Sequence, residues 1–305
     1  MSAVEQLASG GAATGPVSTD HGGPTASAAQ VRRRSRRRSA TLIIGLCLVG
    51  VIVAIAVISL FWLPYAPADT SGGRLEGPSG AHWLGTDKLG RDLMTQLMIG
   101  ARIALTVGLG AVAVGAVIGV TIGLIAAFSR SWVDDTISAA LDVVIAFPVL
   151  LLAMLIVAAQ GASLGAVILA IGLAMSAIVA RLTRILGRRV LSEQYVTAAR
   201  TSGTGWVGIV TQHVLPNIWP TLSVNLALQF GVAVLAEASL SYLGLGAPPP
   251  NASWGRLLQE AQGTVSTAPI GAIAPGIALV ILVVGVNFIA DGLRDLADPT
   301  RRRSR

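Results

Sequence analysis

From Ser39 to Ala68 the chain carries no charged residue, and nearly all of that stretch is apolar. A helix needs about 20 apolar residues to cross the hydrocarbon core of a bilayer, whereas the core of a secretion signal is roughly 7–15 residues long. The basic block Arg32-Arg33-Arg34-Ser35-Arg36-Arg37-Arg38 in front and Ala66-Pro67-Ala68 behind imitate a cleavable signal, but the apolar run is too long for one. Thr41–Leu63 therefore reads as a transmembrane helix whose basic end stays inside. Ahead of it the chain is rich in Gly, Ala, Ser and Thr and poor in large apolar side chains, so residues 1–40 read as a disordered basic cytoplasmic tail.

Runs of the same kind recur along the sequence. Apolar residues make up 53% of the 305 positions and charged residues 12%, with a mean hydropathy of +0.72, values that a soluble domain of this size does not reach. Five further spans follow, over Ala101–Phe128, Thr136–Ala159, Ser163–Ala180, Ile218–Leu245 and Pro269–Ala290, the last interrupted by Pro275. The fold class is an all-α integral membrane protein with six transmembrane helices. Loop 64–100 separates the first two spans, Ser129–Asp135 is a short polar turn, and 294–305 is a tail. Ala111, Gly115, Gly119 and Gly123 form a small-residue row on the second span, which lets another helix approach closely. Asn225, Gln229 and Glu237 lie in or near the fifth span. Polar groups there are expensive in lipid, so they face protein or a water-filled path.

Charge fixes the orientation. Arg74, Lys88, Arg91, Arg102 and Arg256 fall on one face, which leaves 17 of the 22 lysine and arginine residues on the other. The richer face is cytoplasmic. It holds both termini and the polar stretch 188–220, while 64–100 and the loop around Pro248 are external. Arg181, Arg184, Arg188 and Arg189 continue the fourth span at near-helical spacing with their heads reaching water.

Several chemistries are excluded or left without support. The net charge of +7 comes from arginines beside apolar spans rather than along one soluble face with aromatics, so nucleic acid is not the partner. Lys88 is the only lysine, and no Gly-x-x-x-x-Gly-Lys-Ser/Thr run exists, so the chain has no Walker A phosphate loop. His21, His82 and His213 are scattered, with no cluster at metal-ligand spacing, and no nucleophile elbow is present. Cys47, the only cysteine, cannot form an intramolecular disulfide. No catalytic, cofactor-binding or metal residues are assigned.

The stretch Arg188–Pro220 has a helical pattern of its own. Val190, Leu191, Val196 and Ala199 recur at spacings of three to five, Ser202-Gly203-Thr204-Gly205 breaks the pattern, and Trp206, Val207, Val210 and Val214 resume it. Two short amphipathic helices joined at a glycine are expected, with Pro216 and Pro220 closing the unit. The stretch resembles the cytoplasmic EAA loop of ABC importer permeases: Thr197-Ala198-Ala199, Gly203 and Leu215-Pro216 stand at the positions of its Glu-Ala-Ala, Gly and Leu-Pro. Thr197 replaces the glutamate. Three further runs are similar to signatures of the dipeptide/oligopeptide/nickel permease family. They are His82-Trp83-Leu84-Gly85-Thr86-Asp87 with Gly90-Arg91-Asp92, Ser241-Tyr242-Leu243-Gly244-Leu245-Gly246 with Ser253-Trp254-Gly255, and Gly292-Leu293-Arg294-Asp295 with Asp298-Pro299.

The resemblance implies a type I ABC importer permease fold over 101–293 with 188–220 as its coupling-helix loop. It implies a subunit like the C-type permeases of that family, in a bacterial inner membrane, lining half of a path for dipeptides or oligopeptides. The implied partners are a second, non-identical permease subunit, two cytosolic ATPase domains that carry ATP and Mg2+, and an external binding protein. This chain itself binds no cofactor. A nickel chelate is the alternative cargo, although no histidine lies in the spans to favour it. A self-contained secondary transporter is the alternative of another class, but no internal repeat supports it.

Overall fold

The computed structural model describes residues 25–246, 248 and 252–297. Two compact units divide at Arg37 and Arg38, and the second holds the packed helices. Among the described residues the one extended pairing is the isolated antiparallel bridge between Thr86 and Asp92. The helices are α1 (Thr25–Phe61), α2 (Leu93–Phe128), α3 (Ser131–Ala146), α4 (Val149–Gln160), α5 (Leu164–Leu191), α6 (Gln194–Thr201) and α7 (Trp206–Gly208). A π-helical turn, Ile209–Val214, leads into α8 (Leu215–Tyr242), followed by α9 (Trp254–Ala261), a 3-10 turn Gln262–Thr264, and α10 (Ile270–Ala297).

Ala40–Phe61, α2, α5, Trp206–Tyr242 and Ile270–Leu296 are each long and apolar enough to cross a membrane, whereas α3 and α4 are so only as a pair, bent by 89°. The single span expected at Thr136–Ala159 is thus broken. Pro148 has no N–H and crowds the residue before it, which drives Phe147 to φ −81° and ψ 133° and ends α3. The polar turn expected at Ser129–Asp135 shrinks to Ser129 and Arg130, since α3 begins at Ser131.

Other boundaries move for similar local reasons. α2 starts at Leu93 rather than Ala101, because the Asp92 carboxylate caps it by accepting from the Thr95 N–H at 2.7 Å. Pro275 does not interrupt α10. One lost backbone bond is tolerable where neighbouring helices hold the segment. α10 also continues through the start of the expected tail to Ala297. The tail expected to be disordered is helical from Thr25, where Ala, Gln and Arg favour helix. The rest of that tail, residues 1–24, lies outside the described residues, as do Asn251 and 298–305.

The centre of the bundle is the α2–α5 pair. A Cβ added to Gly119 would sit 2.6 Å from the Ser176 carbonyl oxygen, and one on Gly123 would sit 2.4 Å from that of Ala180. The small-residue row is therefore used inside this chain, with α5 as the helix it admits. Where apolar surface meets apolar lipid, backbone contact of this kind supplies the van der Waals attraction that holds helices together. α10 packs on α8, and α1 approaches α10 at Gly45, where an added Cβ would meet the Gly285 carbonyl oxygen at 2.7 Å.

Candidate functional site

The stretch that follows α5 folds as a hairpin. Ser192 and Glu193 separate α6 from α5, so Val190 and Leu191 belong to α5 and only Val196 and Ala199 of the expected first helix lie in α6. α6 ends in a Schellman turn: the Gly203 N–H donates to the Arg200 carbonyl and the Thr204 N–H to that of Ala199, both at 3.0 Å. Gly203 takes φ +87°, a conformation only glycine adopts without strain. The second arm is not closed by its prolines. Pro216 sits where the π turn passes into α8, and Pro220 lies within α8. α7, the π turn and α8 run on as one helix from Trp206 to Tyr242.

The hairpin has its own core. Val196, Ile209, Val214 and Ile218 are buried together against Leu124 and Phe128 of α2 and Leu186 and Val190 of α5. Of the EAA-like positions, Thr197, Ala198, Gly203 and Pro216 are exposed, and Ala199 and Leu215 are half-buried. Tyr195, Trp206 and Val207 add exposed apolar surface beside them. Asp134 of α3 is 1% exposed and holds Arg184, which was expected to reach water and is only partly exposed, together with Arg188, which is exposed as expected. Its Oδ2 lies 2.7 Å from Nη2 of Arg184 and of Arg188, and its Oδ1 accepts from Nε of Arg184. A carboxylate so buried draws both guanidinium groups to it. Arg181 instead pairs with Asp142 at 3.0 Å in an exposed contact.

At the other end of the bundle the Gly-Thr-Asp and Gly-Arg-Asp motifs fold on themselves. Gly85 and Gly90 have φ near +80°, and an added Cβ would meet the carbonyl oxygens of Glu76 and Gly72 at 2.3 Å. Asp87 accepts from the N–H groups of Leu89 (2.7 Å) and Arg91 (2.9 Å) and from Arg91 Nε (2.6 Å). Thr86 donates its hydroxyl to the Gly73 carbonyl and accepts from the Glu76 N–H. Asp92 caps α2 with one oxygen and faces His82 Nδ1 with the other at 3.0 Å, and the His82 ring lies on Tyr65. The polar groups of these motifs are thus engaged with one another, which makes the loop a brace.

Sequence reasoning missed the partner of that brace. α9 places Glu260 against Arg91 (2.5 Å) and Arg256 (2.9 Å). Trp254 is buried, donates Nε1–H to the Leu97 carbonyl at 3.0 Å and lies against Gly100. The signal was present: Ser253 is a capping residue, accepting from the Arg256 N–H, and Trp254, Leu257 and Ala261 follow at helical spacing.

The three polar residues of α8 do not converge. Glu237 is 2% exposed, and its carboxyl is hydrogen-bonded by Ser241 (2.7 Å) and by the Ser253 side chain, so it joins α8 to the start of α9. Gln229 is buried within the bundle. Asn225 alone reaches open space, an open cavity of about 530 Å3 lined by Leu182, Pro220, Val224 and Arg294 among others. Its Oδ1 is buried without a hydrogen-bond partner.

The family described as binding-protein-dependent transport system inner membrane component matches residues 119–303. A dipeptide transport system permease protein of Alkalihalophilus pseudofirmus is 38% identical over 86% of this chain and 87% of its own length. A glutathione transport system permease protein of Pectobacterium atrosepticum is 39% identical over 82% and 85%, and a putative peptide transport system permease protein of Brucella suis 40% identical over 88% and 90%. Among solved structures, a chain of the MetNI methionine ABC transporter in an inward-facing conformation aligns with a TM-score of 0.57 at 20% identity, covering 68% of this chain and 98% of that one. The fold is common to both.

Proposed function

The chain belongs to the family of binding-protein-dependent transport system inner membrane components, and from that premise we propose that it forms half of the transmembrane path of an ATP-driven peptide importer. The observation that carries the cargo is the set of relatives named for dipeptide, glutathione and peptide transport, at 38–40% identity over 82–88% of this chain. No observation favours a nickel chelate.

In this reading a second, non-identical permease subunit supplies the other half of the path and an external binding protein delivers the peptide. Two cytosolic ATPase domains hold ATP and Mg2+, and this chain binds neither. The membrane is the bacterial inner membrane. Both termini and the α6–α7 hairpin are cytoplasmic, and the brace around Asp87 and Glu260 is external, an orientation supported by the excess of lysine and arginine on the hairpin's side. The hairpin suits a coupling role because it is a compact body with its own buried core and an exposed apolar face. From it the continuous helix Trp206–Tyr242, 37 residues and so about 55 Å long, reaches across a bilayer. ATP binding favours a closed ATPase pair. Closure displaces the hairpins and shifts the paired bundles between inward and outward openings. Asn225 offers an amide to the cavity on this path.

Growth on peptides tests the cargo. Cells that need an amino acid and lack this subunit should fail to grow when it is supplied as a dipeptide, and recover with the gene restored. Unimpaired growth, with no other peptide importer present, would refute the proposed cargo.

A further inference from the structure

We propose that the π turn Ile209–Val214 is the joint through which the hairpin drives α8, and that Tyr195, His213 and Asn217 are the positioning residues that keep this joint from yielding. The inference rests on the hairpin being the ATPase-coupling element. A π turn holds one residue more than the α-helix around it, and its poorer geometry persists only where something requires it. Here the requirement is visible in the hairpin core. Ile209 and Val214 both belong to the buried cluster that holds Val196, although they are five positions apart. In an α-helix such residues point about 140° away from each other, so only a widened turn brings both to one side.

The same region is weak along its length. Pro216 and Pro220 each lack the N–H that would bond back one turn, so two successive turns are short of a main-chain bond. Asn217 reinforces this segment from outside. Its Nδ2 group donates one hydrogen to the His213 carbonyl at 2.6 Å and the other to the Tyr195 hydroxyl at 3.1 Å. The Tyr195 ring meets the His213 ring edge to face, with centroids 5.9 Å apart. One amide therefore links α6, the end of the π turn and α8.

None of these three side chains is fully buried, and the buried cluster at Val196, Ile209, Val214 and Ile218 folds the hairpin without them. What they resist is rotation of α6 about the axis of α8. With the link in place, a push on the hairpin turns α8. Without it, the push is absorbed where the prolines have removed backbone bonds.

The test uses the whole importer, reconstituted in proteoliposomes with its partner permease, ATPases and binding protein, and reads peptide uptake and ATP hydrolysis together. Tyr195→Phe removes only the hydroxyl, and Asn217→Ala removes the amide. Each should leave assembly and ATP hydrolysis intact while peptide moved per ATP falls about fivefold, the factor associated with one hydrogen bond. The double variant should be no worse than Asn217→Ala alone, which already removes the contact to the Tyr195 hydroxyl. Additive losses, an unchanged ratio of uptake to hydrolysis, or failure of the variants to assemble would each overturn the joint. Absence of ATP-dependent peptide uptake by the unaltered complex would overturn the importer reading instead.

Discussion

The guanidinium of Arg91 and the carboxylate of Glu260, 169 positions apart in the sequence, meet at 2.5 Å and tie the long loop after α1 to α9. Both side chains are largely buried, at 17% and 12% exposure, and Asp87 lies against the same arginine. Arg91→Ala leaves the buried Asp87 carboxylate without its cation and takes one of two from Glu260, which should cost about 2–4 kcal/mol. Arg256→Ala, at a more exposed arginine on the same glutamate, should cost at most about 1 kcal/mol. Thermal unfolding in detergent micelles measures both. Equal losses would mean that burial does not set the strength of the brace.

Gly255 packs so that an added Cβ would lie 1.9 Å from the Ala238 carbonyl oxygen, a backbone atom that cannot swing aside. Gly255→Ala should therefore unseat α9, expose Trp254 and red-shift its fluorescence. Gly263→Ala, where nothing lies within 4 Å, should leave the emission unchanged. Similar spectra for the two variants would contradict the packing described for α9.

At the α2–α5 contact, Gly119→Val should push the helices apart and cost about 2 kcal/mol or more through overpacking. Gly165→Ala, at a glycine with open space around it, should be neutral. A Gly119→Val protein as stable as the parent would show that the two backbones are not in contact.

Gly203 has open space where a side chain would go, but its φ of +87° is strained for any residue with a Cβ. Gly203→Val should leave the protein inserted and folded yet lower peptide uptake per ATP, with Gly203→Asn milder because asparagine tolerates the left-handed region. Normal uptake by the valine variant would remove the bend from the coupling account.

Orientation is open to direct labelling in intact cells. In a Cys47→Ser background, a cysteine at Ser79 should react with an impermeant thiol reagent and one at Ser202 should not. The opposite pattern would invert the topology.

The spans were legible in the sequence because a bilayer imposes a long uninterrupted apolar run and an arginine count to go with it. The bend at Gly203 was legible too, since glycine acts locally. What the sequence did not reveal depended on where a residue falls in its helix or on a partner far along the chain. The break at Phe147-Pro148 and the continuity through Pro216 and Pro220 involve the same residue type. Pro148 ends a helix, whereas Pro216 falls where the π turn passes into α8 and Pro220 is carried by neighbouring helices. Asp134 could not be matched to Arg184 and Arg188 from a polar turn alone. α9 hid behind a proline-rich motif, although Ser253 and the spacing of Trp254, Leu257 and Ala261 would have located it.

On the proposed reading this chain is half of a pathway and has no engine of its own. Proteoliposomes containing it alone should accumulate no peptide, with or without ATP. Adding the second permease, the ATPases and the binding protein should produce uptake that requires ATP and persists when ion gradients are collapsed. Peptide transport by the isolated chain, or uptake by the full set that follows an ion gradient and ignores ATP, would contradict the account and make the protein a secondary transporter.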